Sequence, residues 1–596
     1  MLVLTQLPDE RLAVKCDYFY RSRMHKIPTA FFAPNLKQWI MQPFVLGTFE
    51  KEFEGEIVYK TPRWVILKEP MPDMSAMYEI TDKSIKTPDL KLKPYDYQDY
   101  GIRFMIDKLL QYNMVLNADS VGTGKTVQTI GVIKWFIENK GFNKFLIICK
   151  KSIKRQWQQE FDKFTNLSDD FNILYTKETA ANRKKVYKEF DFSKKGILIT
   201  NYHSFLNDTD LIKDLDYDMV VIDEAHSIKA RNGVLNNNIS EAVVGKPVVF
   251  LTGTPVMSKP EDIFGIIKIA NPNYFGKWTP FAKEYLVYAN TNFGVQMVGA
   301  KNLDKLREKV QNVLIRRTEY DISIQLPKTN LVKKECTMDN TQIKLLQLVH
   351  DTQVDIMNKM NSLRDNKTGA IKNKQAYDAL DAQSKALIAA RQAASTDPRM
   401  FLMSPSKLMK EHFGQIIPKS YKGSDKTESI IDIVEDIVEE GNKVILFSKF
   451  RTSVLLMAQE IANKLKINTL LYTGSESGEV RDQNLELFNT SVFHNVLLGT
   501  DALAEGVNLQ VAKYVINIDQ PDTFAIKTQR IGRARRASST FDNIVVYDMI
   551  TMDSDNVKSK DVERLQNIED NKDLNDALIS LDDSQSIALQ NAMKGA

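Results

Sequence analysis

The feature that most constrains this 596-residue chain is a recurring pattern of short, wholly apolar runs separated by longer helical stretches. MVLNA (114–118), KFLIIC (144–149), GILIT (196–200), MVVID (219–223) and VVFLT (248–252) form one series. KVILFS (443–448), NTLLYTG (468–474), NVLLGT (495–500), YVINID (514–519) and NIVVYD (543–548) form a second. Strands with one wet face alternate apolar and polar residues. Runs without alternation are strands covered on both faces, as in a parallel sheet sandwiched by helices. The expected fold class is therefore α/β, with two doubly wound parallel-sheet lobes. The expected division is a small mixed N-terminal accessory region (1–91), a first lobe (92–329), a helical insertion or link (330–440), a second lobe (441–550) and an acidic helical tail (551–596). Within the N-terminal region, GEIVYKTPRWVILKEP (55–70) reads as two short strands around a Pro-containing turn.

The first lobe carries the strongest chemical motif, DSVGTGKT (Asp119–Thr126), between MVLNA and the apolar-periodic stretch VQTIGVIKWFI. Gly122 and Gly124, flanking Thr123, allow backbone N–H groups to turn toward an anion at a helix N-terminus, where the helix dipole favours negative charge. Lys125 suits the β and γ phosphates of a nucleotide, and Thr126 suits Mg²⁺. A chance Gly-rich turn would not be flanked by a buried strand and a helix. The strict form of the motif begins with Gly, whereas Asp119 stands here. VVIDEAH (220–226) places two carboxylates at the end of a buried strand, costly unless they meet a cation or water. Asp223 suits Mg²⁺ and Glu224 a general base for an attacking water. LTGTPV (251–256) is alone only a turn signal, with hydroxyls placed to relay the state of a γ phosphate. In the second lobe QRIGRARR (529–536) sets Gln529, Arg533 and Arg536 near one helical face. Arginine there suits charge developing on a transferred phosphoryl group, and a solvated basic helix is the competing reading. ATP would then need both lobes, with hydrolysis driving opening and closing.

Together these residues resemble superfamily 2 helicases, and more narrowly the SWI/SNF-like DNA translocases, across roughly 92–550. Both lobes would then be RecA-like. LKPYDYQDYGIRFM (92–105) is similar to the adenine-reading segment, with Gln98 on the base. DSVGTGKT resembles the family's DEMGLGKT, which also begins with Asp. LIICKKSIKRQWQQEF (146–161) and ITNYHSF (199–205) resemble DNA-contact motifs. VLIRRT (313–318) with LPKT (326–329), and ARQAASTDP (390–398) with the segment 424–450, are similar to the family's links between lobes. GTDALAEGVNLQVAKYVINID (499–519) resembles the motif coupling DNA to nucleotide, with Gly506 and Asn508 matching. The resemblance implies nucleic-acid contacts from Lys150, Lys151, Lys154, Arg155, Thr200, Tyr202, Thr473, Thr500 and Asn508, with Arg316 and Arg317 as further phosphate contacts. It implies ATP and Mg²⁺ as cofactors. DEAHSIKA and QRIGRARR replace the usual RIKN and HRIGQ endings, so the chain reads as a compact bacterial, phage or viral member, acting as a monomer in the cytoplasm.

Three functions fit: a DNA-dependent ATPase that translocates along duplex DNA and remodels DNA or nucleoprotein; a strand-separating DNA or RNA helicase; and a nucleotide-switched transcription or replication accessory. The link segments favour the first, and the intact Lys125, Asp223, Glu224, Arg533 and Arg536 count against the third. Duplex DNA is the expected partner, with single-stranded DNA or RNA as alternatives and a protein partner through 1–91 or 551–596. Taken at face value, a net charge of only +4 argues against a nucleic-acid binder. It averages two unlike parts, since 551–596 carries ten acids against five bases, a net of −5, leaving +9 on residues 1–550. The tail is therefore a candidate shield for a DNA groove. Cys16, Cys149 and Cys336 are isolated, and no CxxC or HxxxH spacing exists, so a zinc site or disulfide framework is not expected. No apolar run reaches membrane-spanning length, and MLVLTQLPDERLAVK lacks the basic start and apolar core of a leader.

Overall fold

The computed structural model describes residues 2–8, 10–33, 36–60, 79–177, 179–253, 260–291, 294–318, 321–322, 327–363, 371–504, 507, 509–535, 539, 541–554 and 557–579. The chain divides into two units, 1–324 with 571–596 and 325–570.

The first unit opens with a five-stranded sheet of β1 (Leu2–Gln6), β2 (Leu12–Cys16), β3 (Phe31–Ala33), β4 (Gln38–Met41) and β5 (Ile57–Tyr59), in the order β3-β4-β2-β1-β5. All its pairings are antiparallel except β1 with β5. Leu2, Leu4, Leu12, Val14, Trp39 and Met41 cover one face with Phe49 and Phe53. Val3, on the opposite face, joins the core of the first lobe. The second half of the predicted strand pair over 55–70 lies outside the described residues.

The first lobe is built on β6 (Met114–Asn117), β7 (Lys144–Cys149), β8 (Asn172–Tyr175), β9 (Gly196–Asn201), β10 (Met219–Asp223), β11 (Val248–Leu251), a hairpin of β12 (Leu286–Thr291) and β13 (Gly294–Ala300), and β14 (Leu314–Ile315). Seven of these strands form one parallel sheet, β14-β6-β11-β10-β7-β9-β8. The residues alternate between two cores as the apolar runs require: Leu146, Ile148, Val220 and Ile222 face one, and Phe145, Ile147, Met219 and Val221 face the other. Burying each such side chain is worth roughly 1.5–3 kcal/mol, enough to fix the register of the central strands.

The second unit holds β15 (Lys328–Cys336), β16 (Val444–Phe447), β17 (Leu470–Tyr472), β18 (Val496–Gly499), β19 (Tyr514–Asn517) and β20 (Asn543–Thr551) in a parallel sheet ordered β15-β20-β19-β16-β18-β17. The span expected as a helical link, 330–440, thus begins with a sheet strand and ends with the helix Asp425–Glu439. That helix buries Ile430, Ile431, Val434 and Ile437 against this sheet. Among the described residues, the helices Asn340–Ser362 and Lys374–Thr396 and the short turns after them form a separate helical layer, whose core Val557 joins. The start of the acidic tail is likewise core. Asp561 and Lys426, both essentially inaccessible, form an ion pair, and Arg564 pairs with Asp522 at 2.6 Å. No helix among the described residues is long and apolar enough to cross a membrane.

Candidate functional site

Strand order assembles the site. β11 lies between β6 and β10, and the registers Asn117↔Leu251 and Leu251↔Asp223 set the three strand ends level. The loop after β6 (Asp119–Gly124), Thr252 and Gly253 after β11, and Asp223 with Glu224 at the end of β10 therefore emerge side by side. This is the carboxyl edge where ligands of open α/β sheets bind.

Gly122 (φ +93°) and Gly124 (φ +82°) adopt the left-handed backbone that the loop needs. At Gly124 a Cβ would also come within 2.4 Å of Gln98 Nε2. Lys125 opens the helix Lys125–Lys140, and its ammonium donates to the carbonyls of Asp119 (2.7 Å) and Ser120 (3.1 Å). Burial lowers its pKa, opposed by the charges of Glu224, Asp119 and Asp223. The lysine and both acids thus share one electrostatic cluster. Gln98 Nε2 donates to the Thr123 carbonyl at 3.2 Å and to Tyr97 Oη, which itself donates to that carbonyl at 2.9 Å. Gln98 is thus held against the loop. Its Oε1 accepts the Tyr95 N–H, and the exposed Tyr95 ring stacks on Tyr97 at 5.9 Å.

Asp119 is buried and holds Arg317. Its Oδ1 accepts from Arg317 N (2.9 Å) and Nε (3.1 Å), and its Oδ2 from Arg317 Nη2 (2.6 Å) and Gln128 Nε2 (3.2 Å). The departure from the strict Gly-first motif is the acidic half of a buried ion pair. Arg317 is consequently not a surface phosphate contact. Nor is Arg316, which is buried and donates to the carbonyls of Ala118 (2.8 Å) and Gly253 (2.7 Å).

Asp223 Oδ2 accepts from Trp157 Nε1 at 2.9 Å, and the Asp223 carbonyl accepts the Tyr202 hydroxyl. Burial, with the adjacent Glu224 charge, pushes the Asp223 carboxyl up to about 6. Glu224 has a left-handed backbone (φ +56°), an unfavourable conformation for a residue with a Cβ and typical of functional sites. Burial would raise its pKa, but the hydrogen bond and charge of His226, followed by Lys150 and Lys125, outweigh this and hold it low. His226 Nδ1 lies 3.2 Å from Glu224 Oε2 and 3.2 Å from Thr252 Oγ1. A protonated Nδ1 donates to Glu224; an unprotonated one accepts the Thr252 hydroxyl. Trp157, His226 and the orienting role of Tyr202 were not anticipated from sequence. Thr126, half-buried, sits one residue after Lys125 at the helix start. The donors available to a cation are hard oxygens few in number, the set Mg²⁺ accepts alongside phosphates. Among the described residues no three His, Cys, Asp or Glu side chains gather into a metal cage.

Several expected nucleic-acid contacts are corrected. Lys154 is buried and donates to the Thr176 carbonyl. Thr200 is buried beside Thr176, and Thr473 is buried with its hydroxyl on Glu476 (3.0 Å). Each serves a turn or a strand end inside its lobe. Lys151 and Arg155 are exposed, Lys150 and Thr500 half-buried.

In the second lobe the helix Phe524–Ala534 carries Gln529 and Arg533, four residues apart, with Arg533 Nη1 donating to the Val507 carbonyl at 3.3 Å. Arg530 points inward instead and is fully buried, with Nη2 at 2.7 Å from Asp501. The helix ends before Arg536, which with Gly506, Asn508 and residues 254–256 of LTGTPV lies outside the described residues.

Residues 97–386 match the SNF2-related domain, and 425–538 the helicase conserved C-terminal domain. An uncharacterized ATP-dependent helicase of Mycoplasma genitalium is 24% identical over 463 residues, 76% of this chain and 40% of that protein. A probable ATP-dependent DNA helicase of Arabidopsis thaliana is 25% identical over 481 residues, 78% and 40% respectively. The chain spans about two fifths of the length of these curated relatives. Among solved structures, the SWI2/SNF2 ATPase core of Sulfolobus solfataricus in complex with dsDNA aligns with a TM-score of 0.37 and 22% identity, over 79% of this chain and 90% of that one. The Hef helicase domain of Pyrococcus furiosus aligns at 0.44 and 16%, over 79% and 98%.

Proposed function

Because the chain belongs to the SNF2-related helicases, we propose that it is a DNA-dependent ATPase that couples hydrolysis to movement along duplex DNA and to remodelling of DNA or nucleoprotein. What carries this reading is the convergence of Lys125, Asp223, Glu224, His226 and Thr252 at three level strand ends.

In the proposed mechanism the loop N–H groups and Lys125 bind the phosphates of ATP. Thr126 and the Asp223 oxygen not engaged by Trp157 would hold Mg²⁺, which would supply neutralisation of charge on the phosphate oxygens. Glu224, kept ionised by His226, accepts the proton of the attacking water. His226 can exchange Glu224 for Thr252, so a change at the end of β11 reaches the base through one side chain. Gln98 steadies the loop from the adenine side, and Gly506 belongs to the nucleotide-coupled segment of the second lobe. Gln529, Arg533 and Arg536 are the second lobe's charge-stabilising groups. Lys150, Lys151 and Arg155, before and on the first turn of the helix that carries Trp157, are the favoured backbone contacts for DNA.

The test is the ATPase rate measured in parallel with duplex DNA, single-stranded DNA and RNA, beside triplex-displacement and fork-unwinding assays. Stimulation by duplex with triplex displacement is expected. Unwinding without triplex displacement would make the chain a strand-separating helicase, and background turnover at saturating duplex would make it a nucleotide-switched accessory.

A further inference from the structure

We propose that the N-terminal sheet carries a second nucleic-acid site, one that takes a single strand through stacked bases and phosphate contacts. Residues 18–49 contain no Asp or Glu, yet include Arg21, Arg23, His25, Lys26 and Lys37. Arg23 turns inward, onto Glu52 (3.1 Å) and Glu56 (2.8 Å) with its guanidinium over the Phe53 ring. Arg21, His25, Lys26 and Lys37 stay exposed. Arg21 and His25 are one helical turn apart and lie on the same side.

Beside these cations the edge strand β3 exposes Phe31 (51%) and Phe32 (48%), with Leu36 (54%) in the turn that follows. About half of each ring is left open to solvent. The Phe32 ring is nonetheless held in place. The buried Trp39 indole packs edge-on against the Phe32 ring at 5.8 Å and against the His25 ring at 4.8 Å. Phe32 and His25 are therefore each ordered against the same Trp39 indole, and Lys26 follows His25 in the chain.

Ordered, half-exposed rings interleaved with cations match the requirements of a splayed strand: π faces for bases and positive charge for the backbone. A duplex hides its base faces in its own stack and gains nothing from the rings. A protein partner gains from the rings, but nothing in its chemistry would exclude carboxylates from a stretch of this length. A polyanion does.

The full chain, without ATP, is titrated into labelled oligothymidine and labelled duplex and followed by anisotropy at several salt concentrations. Phe32→Ala is expected to weaken oligothymidine binding about tenfold, the size of one lost base–ring stack. Arg21→Ser/Lys26→Ser, both at exposed positions, should lower the salt-dependence slope by about 1.4, about 0.7 per phosphate contact. Duplex-stimulated ATPase turnover should stay at the wild-type value in both. Unchanged oligothymidine affinity in both variants overturns the site and leaves the ATPase reading standing. Absent duplex stimulation in the wild type overturns that reading and leaves the site standing. Equal weakening on duplex and single strand would refute the stacking role.

Discussion

Asp119→Gly restores the strict form of the phosphate-loop motif, so motif logic alone expects it to be harmless. The structure predicts the reverse. Removing the carboxylate leaves the Arg317 guanidinium, wholly inaccessible, without its counter-charge, with the Tyr97 carbonyl (2.5 Å) and Gln128 Oε1 (3.0 Å) among its neutral partners. Taking one partner from a buried ion pair costs about 3–5 kcal/mol, against a total of roughly 5–15 kcal/mol for a typical domain. For a lobe of this size the unfolding midpoint should fall by roughly 6–20 °C. Calorimetry or urea unfolding of the full chain measures this directly. The double variant Asp119→Gly/Arg317→Met removes both charges and should recover most of the loss, because an apolar replacement of a buried pair is often near neutral. A single-variant cost below about 1 kcal/mol, or a double variant as unstable as the two singles combined, would refute the reasoning.

Other expectations follow from the same geometry. Lys125→Ala and Glu224→Gln should each abolish DNA-stimulated turnover, measured as phosphate release, with near-wild-type unfolding midpoints. Trp157→Phe keeps the ring but deletes the donor to Asp223; a severalfold rise in the Mg²⁺ concentration needed for half-maximal rate is expected. Turnover should fall as pH drops through about 6, where Asp223 takes up a proton, and raising Mg²⁺ should move that limb to lower pH because cation and proton compete for one carboxylate. Asp561→Ala leaves Lys426 buried without its counter-charge and should cost about 3–5 kcal/mol in urea unfolding. A tail deletion that tests groove shielding therefore has to spare Asp561 and Arg564.

The central strands were legible because they are buried on both faces, and unbroken apolar runs report that environment alone. β8 and β15 escaped for the opposite reason. Asn172–Tyr175 is half-buried at a sheet edge, and KTNLVKKEC exposes most of its length, so neither carries the apolar signal. In the site, Lys125, Asp223 and Glu224 were legible because each sits beside a strand end with a motif of its own. Trp157 and His226 were not, because their partners are set by strand order. β7 and β11 flank β10, and only that adjacency brings the helix after β7 and Thr252 to the two acids. Lys154, Thr200 and Thr473 were misread because a polar residue in a contact-type motif looks the same whether it faces solvent or ties down a neighbouring carbonyl.

The pairing of β15 with β20 bears on how the protein is made. Lys328 finds Asn543, and Cys336 finds Thr551, each across 215 residues of chain. The first strand of the second unit to leave the ribosome thus waits for the last, and its nine residues keep an unpaired edge throughout synthesis of everything between. Lys328, Lys333 and Lys334 on that strand are what a sequence uses to discourage pairing with the wrong neighbour. A ribosome stalled short of residue 543 would release a second unit that cannot close its sheet, and such chains should be cleared by proteolysis or aggregate.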